Sequence, residues 1–171
     1  MQAIASRAAE LRVPDAQIKW HQRVLEDEAY MQRLSAADLF LDTTWHNSMG
    51  SVIDSLWAAT PVVSLAGERP SSRVAASLMI AAGTSLTLAR DLNDYSALAV
   101  AIVRLTTKTT RRQALRKLLE QVRSSSLFNS SRWVALWETW LAMVVDLHMN
   151  SRDLRTEPRR FHLVISDLAV S

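Results

Sequence analysis

Cysteine is absent from the 171 residues, which excludes a disulfide framework, a thiol nucleophile and thiolate zinc sites. Glycine occurs three times and proline four times, too sparsely for low-complexity linkers or a turn-rich all-β fold. Aromatic residues make up 6%. No apolar run approaches the roughly 18 residues that a membrane-spanning helix needs; the nearest, Trp133 to Val145, is interrupted by Glu138. Twenty Lys+Arg against 17 Asp+Glu leave a formal charge of +3, too mild to demand a nucleic acid or a membrane surface as partner. The opening residues, with Arg7, Glu10 and Arg12, lack the apolar stretch of a secretory signal. A cytoplasmic or nuclear protein is expected, in which the sequon at Asn129 carries no meaning.

What is present is a 49% apolar chain of one domain's size, long enough to bury a real core. Short apolar runs alternate with amphipathic stretches. The pattern predicts a helix over 2–12 with Ile4, Ala8 and Leu11 on one face, a strand from Gln17 to His21, and a helix over 27–34. Ala37 to Asp42 reads as a buried parallel strand, followed by a polar loop over 43–50 and a helix over 51–59. A strand over 61–65, a loop over 67–72, a helix over 73–82 and a short strand over 86–89 come next. Three helices near 92–106, 109–123 and 130–149 complete the pattern. Such alternation predicts an α/β fold with a parallel sheet covered on both faces and a helical C-terminal extension. Ligands of such sheets bind beyond the carboxyl ends of the strands, which singles out 21–27, 43–51 and 66–72.

Asp42 to Asp54 is the segment with chemical content. A strand runs into a polar loop, and Gly50-Ser51 opens a helix whose N-terminal amides and dipole favour a phosphate. Gly50 allows a close backbone approach, Ser51 offers a hydroxyl, and Asp54 can accept hydrogen bonds from a ribose diol. Ser51-x-x-Asp54 equally fits a capping box that needs no ligand. His21 at a sheet edge and His46 in the loop admit either a structural or a nucleotide-facing role, while His148 and His162 are background. The four histidines share no metal-site spacing. Glu68 and Arg73 bracket a third loop, either pairing or shaping a sugar pocket. The stripe Trp133, Trp137, Trp140, Val144 and Leu147 is expected to be core packing. The run Lys108, Arg111, Arg112, Arg116, Lys117 and Arg123 has no interleaved aromatics and reads as a solvated helix face.

Several blocks together resemble a known family: Ala37-Asp38-Leu39-Phe40-Leu41-Asp42-Thr43, Asp54-Ser55-Leu56-Trp57-Ala58-Ala59-Thr60-Pro61-Val62-Val63, Gly67-Glu68 followed by Ser72-Arg73-Val74-Ala75-Ala76-Ser77, and Ser126-Leu127-Phe128-Asn129. In this order, over roughly residues 2–149, they look like the C-terminal catalytic lobe of the protein O-GlcNAc transferases. The resemblance implies the Rossmann-like C-terminal half of a two-lobed GT-B glycosyltransferase. It implies transfer of N-acetylglucosamine from UDP-GlcNAc to Ser or Thr of an acceptor protein, with the nucleotide sugar as donor substrate and neither metal nor further cofactor. By the same resemblance Asp54 falls on the aspartate that binds the uridine ribose, and Ser51 and Gly50 on two threonines near the diphosphate. Arg33 falls on an arginine close to the uracil, and Leu25 on a residue whose backbone meets the base.

The departures are as specific. Met49 and Tyr30 stand where the family has histidines, Gly50 replaces a hydroxyl donor, and Asp27 replaces a lysine that helps hold the nucleoside. Contacts of this charge-assisted kind are worth about 1.5–3 kcal/mol each. The family's leaving-group lysine, its N-terminal lobe and its tetratricopeptide repeats have no counterpart in 1–150, so no catalytic residue is assigned and no turnover is expected of this chain alone. Residues 151–171, including Phe161 to Ile165, match nothing and read as a tail of unknown role. The donor is UDP-GlcNAc by resemblance, although related plant enzymes use GDP-fucose. The alternative is an interaction scaffold that kept the fold and lost the nucleotide.

Overall fold

A computed structural model describes residues 2–22, 24–107 and 109–150; the tail, with the small strand expected over Phe161 to Ile165, lies outside them. Three short strands form a parallel sheet in the order β1-β2-β3: β1 (Phe40–Leu41), β2 (Val62–Leu65) and β3 (Leu88–Ala89). Phe40 pairs with Val62 and Leu41 with Val63, then Ser64 with Leu88 and Leu65 with Ala89. The helices are α1 (Gln2–Glu10), α2 (Asp27–Ala36), α3 (Met49–Trp57), α4 (Val74–Ala81), α5 (Leu92–Thr106), α6 (Thr109–Glu120) and α7 (Ser130–Asn150). This is the α/β architecture with a helical extension that the alternation predicts.

Period-two alternation along β2 sets up the layers. Val62 joins Val52 and Leu56 of α3, Ala75 and Met79 of α4, and Val122 in the buried core. Val63 points the opposite way and is also fully buried, so the central strand is covered on both faces, as a parallel sheet requires. Phe40, Leu119, Leu127 and Phe128 pack around the same core.

Three expectations fail on physical grounds. Gln17 to His21 forms no strand: Asp15–Gln17 is a single 3-10 turn and irregular chain follows. No described strand pairs with it, and Trp20 stays 49% exposed, so the apolar alternation buries nothing. Of Ile4, Ala8 and Leu11 only Ala8 is buried, and Leu11 lies beyond the end of α1. The basic run is not merely a solvated face. Arg112 donates to the Ala36 carbonyl at 2.7 Å and pairs with Asp38 at 3.2 Å, while Arg123 donates to the Trp57 carbonyl at 2.8 Å and lies over its indole. Guanidinium groups thus occupy the carbonyl ends of α2 and α3, where the helix dipole favours a cation.

Helix endings share one device. After α4, Gly83 adopts φ +75°, the Thr84 amide reaches back to the Met79 carbonyl and the Gly83 amide to that of Ile80. α3 closes with the same pattern, from Thr60 to Ser55 and from Ala59 to Leu56, but with Ala59 at φ 57°. A left-handed alanine is strained where glycine is not. Ala59→Gly is therefore expected to raise stability by about 0.5–1 kcal/mol, and Leu56→Ala to lower it by about 2–5 kcal/mol, both read from urea unfolding midpoints.

Candidate functional site

The site lies beyond the carboxyl ends of β1 and β2, and one buried side chain organises it. Asp42, immediately after β1, is 3% exposed. Its amide donates to Val63 at 3.0 Å and so extends the ladder. One carboxylate oxygen accepts the Ser48 amide at 3.0 Å and the other the Ser64 hydroxyl at 2.7 Å. Its carbonyl accepts the Tyr95 hydroxyl of α5 at 2.8 Å. Asn47, also buried, performs the second fixation. Its amide donates to Ser71 at 2.8 Å, its carboxamide nitrogen to Thr43 at 2.8 Å, and its oxygen accepts the Ala75 amide at 3.1 Å. The segment 43–48 is thereby held between β2, α4 and α5.

This fixation sets where α3 begins. The helix starts at Met49 with Ser48 as N-cap, whose side chain makes no cap bond. Ser51 is inside the first turn, so the Ser51-x-x-Asp54 capping box does not form. The first intrahelical bond runs from the Val52 amide to the Ser48 carbonyl at 3.0 Å, leaving the amides of Met49, Gly50 and Ser51 without helical partners.

Two hollows flank that first turn. One, of about 490 Å3, is lined by His21, Gln22, Val24, Tyr30, Arg33, Gly50, Ser51 and Asp54. Five of the seven residues singled out for nucleotide contact, Tyr30, Arg33, Gly50, Ser51 and Asp54, thus come together from α2 and α3. The Arg33 guanidinium donates to the Gln22 carbonyl at 3.2 Å, which ties Gln22 to α2 beside the hollow. The Asp54 carboxylate makes no hydrogen bond or ion pair among the described residues. Leu25 is not brought in: its side chain is 86% exposed and does not line the hollow. Asp27 starts α2 in solvent, so its negative charge is also outside the lining.

The second hollow, of about 550 Å3, is lined by Thr43, His46, Asn47, Ser48, Met49, Ser71 and Val74. Met49 therefore lines a different hollow from the five candidates that come together, and His46 shares it. Arg73 donates to the Gly67 carbonyl at 3.0 Å and does not pair with Glu68. The loop it holds closes on itself, because the Gly67 amide meets the Ser72 carbonyl at 2.9 Å. A Cβ on Gly67 would sit 2.9 Å from that of Ser72, which only a glycine avoids. Sequence reasoning missed Asn47, an ordinary loop residue by type, and gave Asp42 no role beyond closing a strand. Among the described residues no cluster of His, Cys, Asp or Glu is placed to hold a metal ion, and no helix is long and apolar enough to cross a membrane.

Comparison with known proteins gives a consistent picture. The profile of glycosyl transferase family 41 matches residues 2–136. The Arabidopsis thaliana protein named "Probable UDP-N-acetylglucosamine–peptide N-acetylglucosaminyltransferase SEC" is 31% identical over 141 residues, 81% of this chain and 14% of that protein. A UDP-N-acetylglucosamine–peptide N-acetylglucosaminyltransferase of Caenorhabditis elegans is 34% identical over 79 residues, 46% of this chain and 7% of its own length. Among solved structures, a lysine-to-methionine mutant of the Thermobaculum terrenum O-GlcNAc transferase is similar at a TM-score of 0.62 and 25% identity, over 81% of this chain and 27% of that one. The chain thus spans a minor part of each relative.

Burial, and then the charge of Asp42, raise the pKa of Tyr95 above its ordinary value near 10.0. A raised acid pKa favours the folded state fully below pH of about 10, and the contribution is lost as pH rises through the folded value. Tyr95→Phe should cost about 1 kcal/mol at neutral pH and flatten that alkaline loss. Asp42→Ala, which strands the Ser48 amide and the Ser64 hydroxyl, should cost about 3 kcal/mol; denaturant titrations across pH check both.

Proposed function

The chain belongs to glycosyl transferase family 41, and on that premise we propose that the hollow between α2 and α3 holds the nucleoside diphosphate part of a sugar donor, UDP-GlcNAc by family. Asp54 accepts hydrogen bonds from the ribose diol. Arg33 lies on the base side, with Tyr30 and His21 as walls. The free amides of Met49, Gly50 and Ser51 meet the diphosphate with the positive end of the α3 dipole behind them. One observation supports this above the rest: residues up to 24 positions apart in the chain line one hollow, and its carboxylate, Asp54, has no partner among the described residues.

The role that goes with such binding is the donor half of a protein O-GlcNAc transferase, acting on Ser or Thr of an acceptor protein. Glycosyl transfer needs donor, acceptor and a charge-stabilising group in register. The hollow supplies the first of these, so the isolated chain binds donor and does not turn it over. The position of Asp27 outside the lining removes the charge repulsion that its replacement of a lysine would introduce. Among the described residues Arg33 is the guanidinium that lines the hollow.

Thermal melting with UDP, UDP-GlcNAc and GDP-fucose tests the reading. At about 100 times its dissociation constant, a ligand adds roughly 2.7 kcal/mol, or about 5–10 °C in Tm for a chain of this size. UDP and UDP-GlcNAc are expected to give this shift and GDP-fucose a smaller one. Asp54→Ala should abolish it without altering the Tm of the free protein. No shift with any nucleotide would leave a scaffold that kept the fold and lost the ligand.

A further inference from the structure

Gln22 and Val24 line the hollow between α2 and α3 but take no part in holding a ribose or a diphosphate. Gln22 adjoins Arg33, whose guanidinium donates to its main-chain carbonyl at 3.2 Å. The backbone of Gln22 is thereby tied to α2, while its carboxamide makes no hydrogen bond among the described residues. The side chain is exposed, in irregular chain before α2, so it adds nothing to the core. A carboxamide offers an N–H donor and a carbonyl acceptor side by side. That pairing is the one that reads the edge of a nucleobase.

This inference rests on the reading that a nucleoside diphosphate occupies the hollow. With Asp54 on the ribose, the base falls on the Arg33 side, where Gln22 also stands. We propose that Gln22 reads the Watson–Crick edge of that base and selects uracil over guanine. Uracil shows an acceptor, O4, beside a donor, N3–H, and one carboxamide answers both. Guanine shows two donors, N1–H and the N2 amino group. The same carboxamide accepts from one of them and sets its own N–H against the other. The remaining lining residues do not make this distinction. A guanidinium only donates, and both bases carry a carbonyl oxygen for Arg33. The imidazole of His21 holds its two nitrogens on diverging sides of the ring, so it cannot meet both groups of one edge. The Val24 side chain has no polar atom. Because the amide of Gln22 can turn over, cytosine, with its N4 amino group beside N3, is accepted as uracil is.

Calorimetric titration of the full 171-residue chain with UDP, CDP and GDP tests this. A matched bidentate contact discriminates by roughly fivefold or more. UDP and CDP should therefore bind alike, and each about fivefold tighter than GDP. In Gln22→Glu the ionised carboxylate is acceptor-only. It accepts from both guanine donors and gives uracil O4 no donor, so the preference for UDP over GDP should reverse. The added negative charge repels every diphosphate equally and cancels in the ratio. Gln22→Ala should shrink the preference without inverting it, and neither substitution should move the melting of the free chain. Binding that persists in Gln22→Glu with an unmoved UDP-to-GDP ratio overturns the base reading and leaves the donor reading standing. CDP binding as weakly as GDP overturns it too. No binding of any nucleotide by the unaltered chain overturns both readings together.

Discussion

The buried Asp42 carboxylate is the constraint on which the site depends. It sits where β1 gives out, and four hydrogen bonds tie that point to β2, to the start of α3 and to α5. A buried carboxylate is tolerated only when its acceptors are matched by donors, and here the Ser48 amide before α3 and the Ser64 hydroxyl of β2 supply one to each oxygen. The same residue therefore completes the sheet ladder, fixes the first turn of α3 and joins the extension to the sheet.

The site follows from that fixation. With the Ser48 amide taken up by Asp42, α3 opens at Met49 and directs its unpartnered amides between the two hollows. Asn47 reaches the Ala75 amide at the start of α4, so the turn beyond β1 and the turn beyond β2 are held in one register. The hollow beside α3 is completed from α2, whose Arg33 holds the Gln22 carbonyl. Side chains from two helices are thus brought to one place by backbone geometry and not by contacts among themselves.

Much of the fold is legible in the sequence because buried parallel strands leave compact apolar runs, as at Phe40–Leu41 and Val62–Leu65. Gln17 to His21 misleads because a strand is defined by its neighbour, which no local pattern reports. The early start of α3 is hidden for a related reason: what satisfies the Ser48 amide is a side chain six residues back, not the serine at 51 that local capping logic selects. α1 and α3 end in left-handed Arg12 and Ala59, with no glycine to signal it. In the site, spacing alone marks Gly50, Ser51 and Asp54. Only the family resemblance adds Arg33 and Tyr30, which the structure places beside them, while Leu25 and Met49 lie elsewhere. The stripe on α7 is legible as a helix face, but the core packing expected of it does not occur at Trp133 and Trp137, which are 60% and 46% exposed, since periodicity says which side is apolar and not what lies against it.

Arg112 and Arg123 carry a consequence for the minimal size of such a lobe. Both belong to the helical extension, yet their guanidinium groups terminate α2 and α3, elements laid down some 76 and 66 positions earlier in the chain. A version cut after β3 would retain all three described strands and every described residue that lines the hollow between α2 and α3, but those two helices would end in bare carbonyls. The autonomous unit is consequently defined by where those two arginines occur, and a boundary drawn around the sheet alone would fall too early.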